Sequence, residues 1–172
     1  MRIATAMVLA LGILGTIESD VSSATNQAFG FNAGLISGFP RNVALAMAGG
    51  GAFDLEGRLV KAGGNFSCLS NIIFPGPFFG CAAGEGVRWE AVALLESTVF
   101  QCRLFDEVKT AVTGDKVAVL VSDFYRQADG NVESFTAKMI VSDADLDPVA
   151  PGVQNVWVQQ VGCATDAVVS FN

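Results

Sequence analysis

The feature of this sequence that most constrains its fold is a repeated rhythm of short apolar or alternating runs, each followed by a turn with glycine or aspartate. This rhythm is typical of antiparallel β-proteins, and no helical periodicity of useful length accompanies it. The turns are predicted at Glu56-Gly57, Gly114-Asp115, Asp129-Gly130 and Thr165-Asp166. Strands are predicted at about residues 27–33, 43–53, 58–68, 87–94, 98–104, 108–112, 116–127, 131–142, 154–162 and 167–171.

The clearest hairpin lies at residues 116–142, with Asp129-Gly130 at the centre of a type I′ turn. Because side chains alternate along a strand, this turn fixes which residues face one another on one side of the hairpin. The predicted pairs are Arg126 with Glu133, Phe124 with Phe135, Ser122 with Ala137, Leu120 with Met139 and Ala118 with Val141. The opposite side is apolar at one end and polar at the other. That pattern predicts either a second sheet over half of it or the mouth of a barrel.

Residues 1–24 have the pattern of an export signal. Arg2 gives a positive start, an apolar run covers 3–17, and the small residues Ser22 and Ala24 precede a possible cleavage before Thr25. The apolar run is shorter than the roughly 18–20 residues that a membrane-spanning helix needs. We therefore expect 1–24 to be a signal peptide and 25–172 to be a single β-rich domain that is secreted, with no membrane span after signal removal.

The sequence contains four cysteines, Cys68, Cys81, Cys102 and Cys163. An even count behind an export signal predicts two disulfides, for which three connectivities are possible. We favour Cys68–Cys81 with Cys102–Cys163, because the first pair closes a local loop that contains Pro75 and Pro77. A zinc site is the poorer interpretation, since the chain has no C-x2-C pair and no histidine.

Charge and composition exclude several functions. Seventeen acidic against ten basic residues give a formal net charge of −7, which argues against nucleic acid and anionic lipid as partners. The complete lack of histidine removes Ser-His-Asp and Cys-His catalysis and the usual zinc, copper and haem ligands. Any catalysis must therefore use carboxylates, tyrosine, lysine, arginine or a bound ion, and we expect no cofactor.

Three groups of residues are the candidates for chemistry or binding. Glu90, which follows Trp89, and Asp123 and Tyr125 are candidates for catalysis, since paired carboxylates support glycoside hydrolysis. Asp143, Asp145 and Asp147 have the D-x-D-x-D spacing of a calcium loop, but the glycine and glutamate that an EF-hand requires are missing. The apolar segment that contains Phe74, Phe78 and Phe79 either folds over the core or presents a binding surface.

Several stretches between residues 49 and 171 carry a resemblance to known proteins. They are GAFD (51–54), AGGNFSC (62–68), GEGVRW (84–89), FTAKMIV (135–141) and GVQNVWV (152–158). In these stretches the chain resembles a group of uncharacterised exported bacterial proteins of the actinobacterial type. The resemblance implies export and a β-rich domain, and it implies no activity and no site residues.

Together these observations predict an all-β fold with one antiparallel sandwich of about 8–10 strands. The alternative is a closed β-barrel, lipocalin-like or allene-oxide-cyclase-like. The predicted function is a non-catalytic binding or structural role for an exported, disulfide-stabilised domain, with a protein, a glycan or a small apolar molecule as partner. The alternative is a histidine-free enzyme that uses carboxylates or tyrosine, or a carrier of small apolar molecules, built on a barrel.

Overall fold

The computed structural model describes residues 26–39, 42–73, 80–126, 133–149 and 151–172, and the predicted all-β class is confirmed. Eleven strands and no helix are found in these residues, which accordingly include no helix long and apolar enough to cross a membrane. The strands are β1 (Asn26–Gly38), β2 (Ala44–Asp54), β3 (Leu59–Cys68), β4 (Arg88–Leu94), β5 (Ser97–Phe100), β6 (Lys109–Val112), β7 (Val117–Tyr125), β8 (Glu133–Ser142), β9 (Val156–Val158), β10 (Gly162–Ala164) and β11 (Val168–Phe171).

Most of the strands form a single antiparallel sheet that returns to its own first strand. The hydrogen-bonded order is β1-β2-β3-β4-β7-β8-β9-β10, and β10 pairs again with β1, placing Ile36 opposite Ala164. The first half of β1 pairs instead with β11, where Phe29 lies opposite Phe171. The sandwich and the barrel predicted from the sequence both enclose a core between antiparallel strands. In the structure, a single ring of strands encloses the core.

The interior of the ring is packed with aromatic and aliphatic side chains. Phe124 and Phe135 stack with ring centroids 4.5 Å apart, and Phe66 meets them edge-on at 5.1 and 6.0 Å. Trp89 and Phe53 are each only 1% exposed in the same cluster. Aromatic pairs of this kind contribute about 0.5–1.5 kcal/mol each beyond their buried area.

The paired glycines of β2 and β3 make room for the indole of Trp89. Gly49 lies opposite Gly64 in the register of the two strands. A Cβ at Gly49 would lie 2.7 Å from the indole Cζ2, and one at Gly64 would lie 2.7 Å from its Nε1. The indole N–H crosses this pair to donate a hydrogen bond to the carbonyl of Ala48 at 3.1 Å. Glycine is therefore required here, because a Cβ would collide both with the indole and with the facing backbone, at the Gly63 oxygen or the Ala48 oxygen.

The β7–β8 hairpin confirms most of the predicted register. Phe124 faces Phe135, and the three pairs beyond it are also those predicted, from Ser122–Ala137 to Ala118–Val141. The pairing of Arg126 with Glu133 is wrong, because the register shifts after Phe124 and places Tyr125 opposite Glu133. A bulge of this kind puts one extra residue on one strand and offsets every later pair. The predicted Asp129-Gly130 turn lies outside the described residues.

A two-stranded sheet, β5–β6, covers half of the outer side of the β7–β8 hairpin, as one of the sequence alternatives predicted. Phe100 and Ala111 pack there against Val119 and Ile140, which form a second core with Trp157. The β5–β6 hairpin is thus an appendage on the outside of the ring, held by its own apolar contacts.

Both disulfides have the favoured connectivity. Cys68–Cys81 joins the end of β3 to a residue that is bridged to Ile72. Cys102–Cys163 joins the loop after β5 to β10, across 61 residues of sequence. Every predicted strand overlaps an observed one, but β10 was not predicted as a separate strand, because the predicted strand at 154–162 ends at the first residue of β10, Gly162.

Candidate functional site

The three catalytic candidates of the sequence lie together on the outer side of the ring. Glu90 of β4 is directly opposite Asp123 of β7, and Arg88 is opposite Tyr125. Directly opposed residues in antiparallel strands have Cβ atoms about 4.5–5.5 Å apart. The fold therefore brings two carboxylates together on one side of neighbouring strands, as paired acid catalysis requires.

Each of these candidates already has a partner within the sheet. Arg88 Nη1 donates to Glu90 Oε2 at 2.8 Å, and its guanidinium lies 3.8 Å from the centre of the Tyr125 ring. Thr136 Oγ1 donates to Asp123 Oδ1 at 2.6 Å. The hydrogen bond to Glu90 raises the pKa of Arg88, so the guanidinium remains charged. The side chains of Arg88 and Glu90 are 40% and 55% exposed, so this outer face does not enclose a substrate away from water.

The three aspartates at 143–147, called here the acidic turn, point to three different partners. Asp143 pairs with Lys116 at 2.9 Å, and Asp147 pairs with Lys109 in a partly buried site. Asp145 Oδ1 accepts hydrogen bonds from the backbone N–H groups of Asp147 and Gln154 at 2.9 and 3.0 Å. Among the described residues, no group of three or more histidine, cysteine or acidic side chains is placed to hold a metal ion. The acidic turn therefore ties the segment after β8 to β6 and to the start of β7.

Phe74, Phe78 and Phe79, the predicted binding residues, lie outside the described residues. The residues on either side are joined, since Ile72 and Cys81 exchange backbone hydrogen bonds of 2.8 and 2.9 Å. The role of these three phenylalanines stays a prediction.

Exposed apolar residues of the β5–β6 hairpin and its loop were missed by the sequence reasoning. Val99 and Val112 lie on the side of the hairpin that faces away from the ring, because Phe100 and Ala111 occupy the buried side. Phe105, in the loop, is 85% exposed. The available signal was valine at the outward positions 99 and 112, together with the apolar pair Leu104-Phe105 in the loop. The hairpin surface consists of Val99, Leu104, Phe105, Val108 and Val112.

A pocket of about 500 Å³ opens at one end of the ring. Its apolar wall residues are Leu55, Leu94, Leu95 and Val112. An ion pair between Arg58, in the turn after β2, and Glu96, after β4, borders it. No local sequence pattern indicates this pocket, since its walls come from three separate segments, 55–58, 94–97 and 112–113.

Comparison of the chain with protein-family models, with curated proteins and with solved structures finds no match.

Proposed function

We propose that this chain is an exported, disulfide-stabilised domain with a non-catalytic binding role, and that it binds a protein partner through the hairpin surface. The observation that carries the proposal is the exposure of five large apolar side chains within residues 99–112. Clustered apolar exposure of this kind marks interaction sites more often than scattered single residues do.

The state of the catalytic candidates supports a non-catalytic role. Glu90, Asp123 and Tyr125 face outward, away from the packed interior, and each contacts a neighbouring side chain. Enzymes generally place such groups in a concave, desolvated site where charge stabilisation is strong. An open pocket of about 510 Å³ borders Arg88 and Glu90, but these side chains are 40% and 55% exposed and are therefore not desolvated.

The way the hairpin is held supports its use as a binding surface. The Cys102–Cys163 disulfide and the contact of Phe100 with Trp157, with ring centroids 6.0 Å apart, fix it to the ring. Trp157 Nε1 also donates to the carbonyl of Gln101 at 2.9 Å. A surface that is already ordered loses less conformational freedom on binding, so more of its contact energy appears as affinity.

Export and bacterial origin belong to the same proposal. They are supported by the signal-like segment at 1–24, by the resemblance to exported bacterial proteins, and by two disulfides, which persist in oxidising compartments. Expression of the full precursor with a C-terminal tag tests this directly. We expect the tag in the medium or envelope fraction, on a chain that begins at Thr25, and retention in the cytosol with an intact N-terminus would contradict it.

The binding role is tested with the mature chain and two variants. Proteins captured from the secreted and envelope fractions are identified by mass spectrometry, purified, and titrated by isothermal calorimetry. We expect Phe105→Ser with Val99→Thr to weaken binding at least tenfold, because exposed aromatic anchors dominate interfaces. The control is Val168→Thr, at a residue that is 72% exposed on β11.

Two results would refute the protein-partner proposal. One is equal affinity of the hairpin variant and the wild-type chain for every purified partner. The other is a glycan, found on an array, that binds both forms equally and accounts for the capture. A selective loss with the hairpin variant alone supports the proposal.

A further inference from the structure

The pocket at the end of the ring has walls that are held in place by hydrogen bonds. On one side, the turn at 55–58 is fixed by the Glu56 N–H, which donates to Asp54 Oδ1 at 3.0 Å. On the other side, Thr113 donates from Oγ1 to the carbonyl of Leu95 at 2.6 Å and from its N–H to the carbonyl of Glu96 at 2.8 Å. These bonds do not depend on a ligand, so the pocket is formed in advance.

The size and lining of the pocket suit a small molecule. Its volume of about 500 Å³ lies within the roughly 300–1,000 Å³ of small-molecule sites. Four apolar side chains supply a surface for a hydrocarbon body, and two of them are Leu94, the last residue of β4, and Leu95, which follows it. Such a lining binds apolar groups through the removal of their surface from water.

The ion pair at the border of the pocket indicates which polar group a ligand should carry. Arg58 has a φ of 52°, a conformation that few residues other than glycine adopt, and its side chain borders the pocket. Its partner Glu96 is 70% exposed and Arg58 is 59% exposed, so the ion pair between them contributes little to stability. A ligand carboxylate can therefore replace Glu96 as the partner of Arg58 at small cost, and a planar guanidinium suits a carboxylate particularly well.

We propose that this pocket binds a small amphiphilic carboxylate, with the hydrocarbon chain against Leu55, Leu94, Leu95 and Val112 and the carboxylate on Arg58. The inference goes beyond the proposed protein-binding role, because it concerns a different ligand class and, apart from Val112, which belongs to both sites, different residues. The exchange predicts competition: Glu96 and the ligand carboxylate cannot both take the same guanidinium face.

The test is a titration of the ¹⁵N-labelled mature chain with decanoate, followed by two-dimensional NMR. We expect saturable shifts confined to the turn at 55–58 and to residues 94–97 and 112–113. Arg58→Gln should weaken binding about tenfold, whereas Glu96→Gln should tighten it several-fold by removing the competing carboxylate. Arg103→Gln, which removes a guanidinium from the β5–β6 loop, is the matched control and should leave the affinity unchanged.

Related probes and variants separate the possible outcomes. Decanol and decyltrimethylammonium should bind at least tenfold more weakly than decanoate. Equal binding of decanol, absence of tightening in Glu96→Gln, or shifts spread over the whole surface would overturn the proposal. Phe105→Ser should leave decanoate binding unchanged, so that failure of this pocket and failure of the hairpin surface give different results.

Discussion

Removal of the two disulfides one at a time should destabilise the chain unequally, in an order set by the loops that they close. Cys68–Cys81 spans 13 residues of sequence and Cys102–Cys163 spans 61. In the chain-entropy description a cross-link restricts the unfolded ensemble, and the effect grows with the logarithm of loop length. The relation gives about 3 kcal/mol for the short loop and about 4 kcal/mol for the long one.

The structure makes this comparison unusually well matched. All four cysteines are at most 3% exposed, so a Cys68→Ala/Cys81→Ala variant and a Cys102→Ala/Cys163→Ala variant lose similar buried contacts. The difference between them, about 1 kcal/mol, then reports mainly on loop closure. It is measured by urea denaturation of the mature chain at 25 °C, using free energies extrapolated to water, because removal of a cross-link also changes the denaturant dependence.

The long-range disulfide should also have a local signature. Trp157 is 5% exposed beneath the β5–β6 hairpin, whereas Trp89 is 1% exposed inside the ring. In a Trp89→Phe background, loss of Cys102–Cys163 should increase the quenching of Trp157 by acrylamide, while loss of Cys68–Cys81 should not. Equal free-energy losses, or a larger loss for the short loop, would refute the loop-entropy reasoning.

The remaining predictions concern close packing, a buried ion pair and the acidic turn. Gly64→Ala should cost about 1–3 kcal/mol and red-shift Trp89 fluorescence, because its Cβ would collide with the carbonyl oxygen of Ala48 and would lie 2.7 Å from the indole nitrogen. Gly34→Ala, where nothing lies within 4 Å, should be nearly neutral, and equal effects would contradict the packing argument. Lys109→Met should lower the free energy of unfolding by roughly 3 kcal/mol, measured by urea denaturation, since it leaves the Asp147 carboxylate, only 3% exposed, without its cation. A change below about 0.5 kcal/mol would show that the ion pair does not stabilise the fold. EDTA should leave the melting temperature unchanged, because the carboxylates of the acidic turn are bound to two lysines and to backbone N–H groups instead of converging on one metal ion. A large drop in the melting temperature would show that a metal ion stabilises this segment.

The strands and the hairpin register could be predicted because they depend on local pattern. Alternation over 117–141 decides which side chains face the core, and four cross-strand pairs follow from it. The bulge beyond Phe124 could not be predicted, since it requires one extra residue that no periodicity marks. The direct result is a one-residue shift, which places Glu133 opposite Tyr125 instead of Arg126.

Ring closure and the pairing of the catalytic candidates lie beyond the reach of local pattern. Glu90 meets Asp123 only because β4 pairs with β7, with the whole β5–β6 hairpin inserted between them in sequence. Likewise β10, of three residues, becomes a strand by pairing with the second half of β1. Such contacts depend on the free energy of the complete sheet, to which each short segment contributes little by itself.

The β5–β6 hairpin is the element whose presence the ring does not explain. A two-stranded hairpin is marginal in water, and this one depends on Phe100, Ala111 and the Cys102–Cys163 link for its position. Its buried side therefore accounts for how it is held, but not for the valines on its other side or for Phe105. If stability alone had determined the residue types in this segment, polar residues at those exposed positions would stabilise the fold equally well. The apolar residues kept there are what a binding surface requires, and substitution of Phe105 separates the two explanations, because it should lower affinity without lowering the free energy of unfolding.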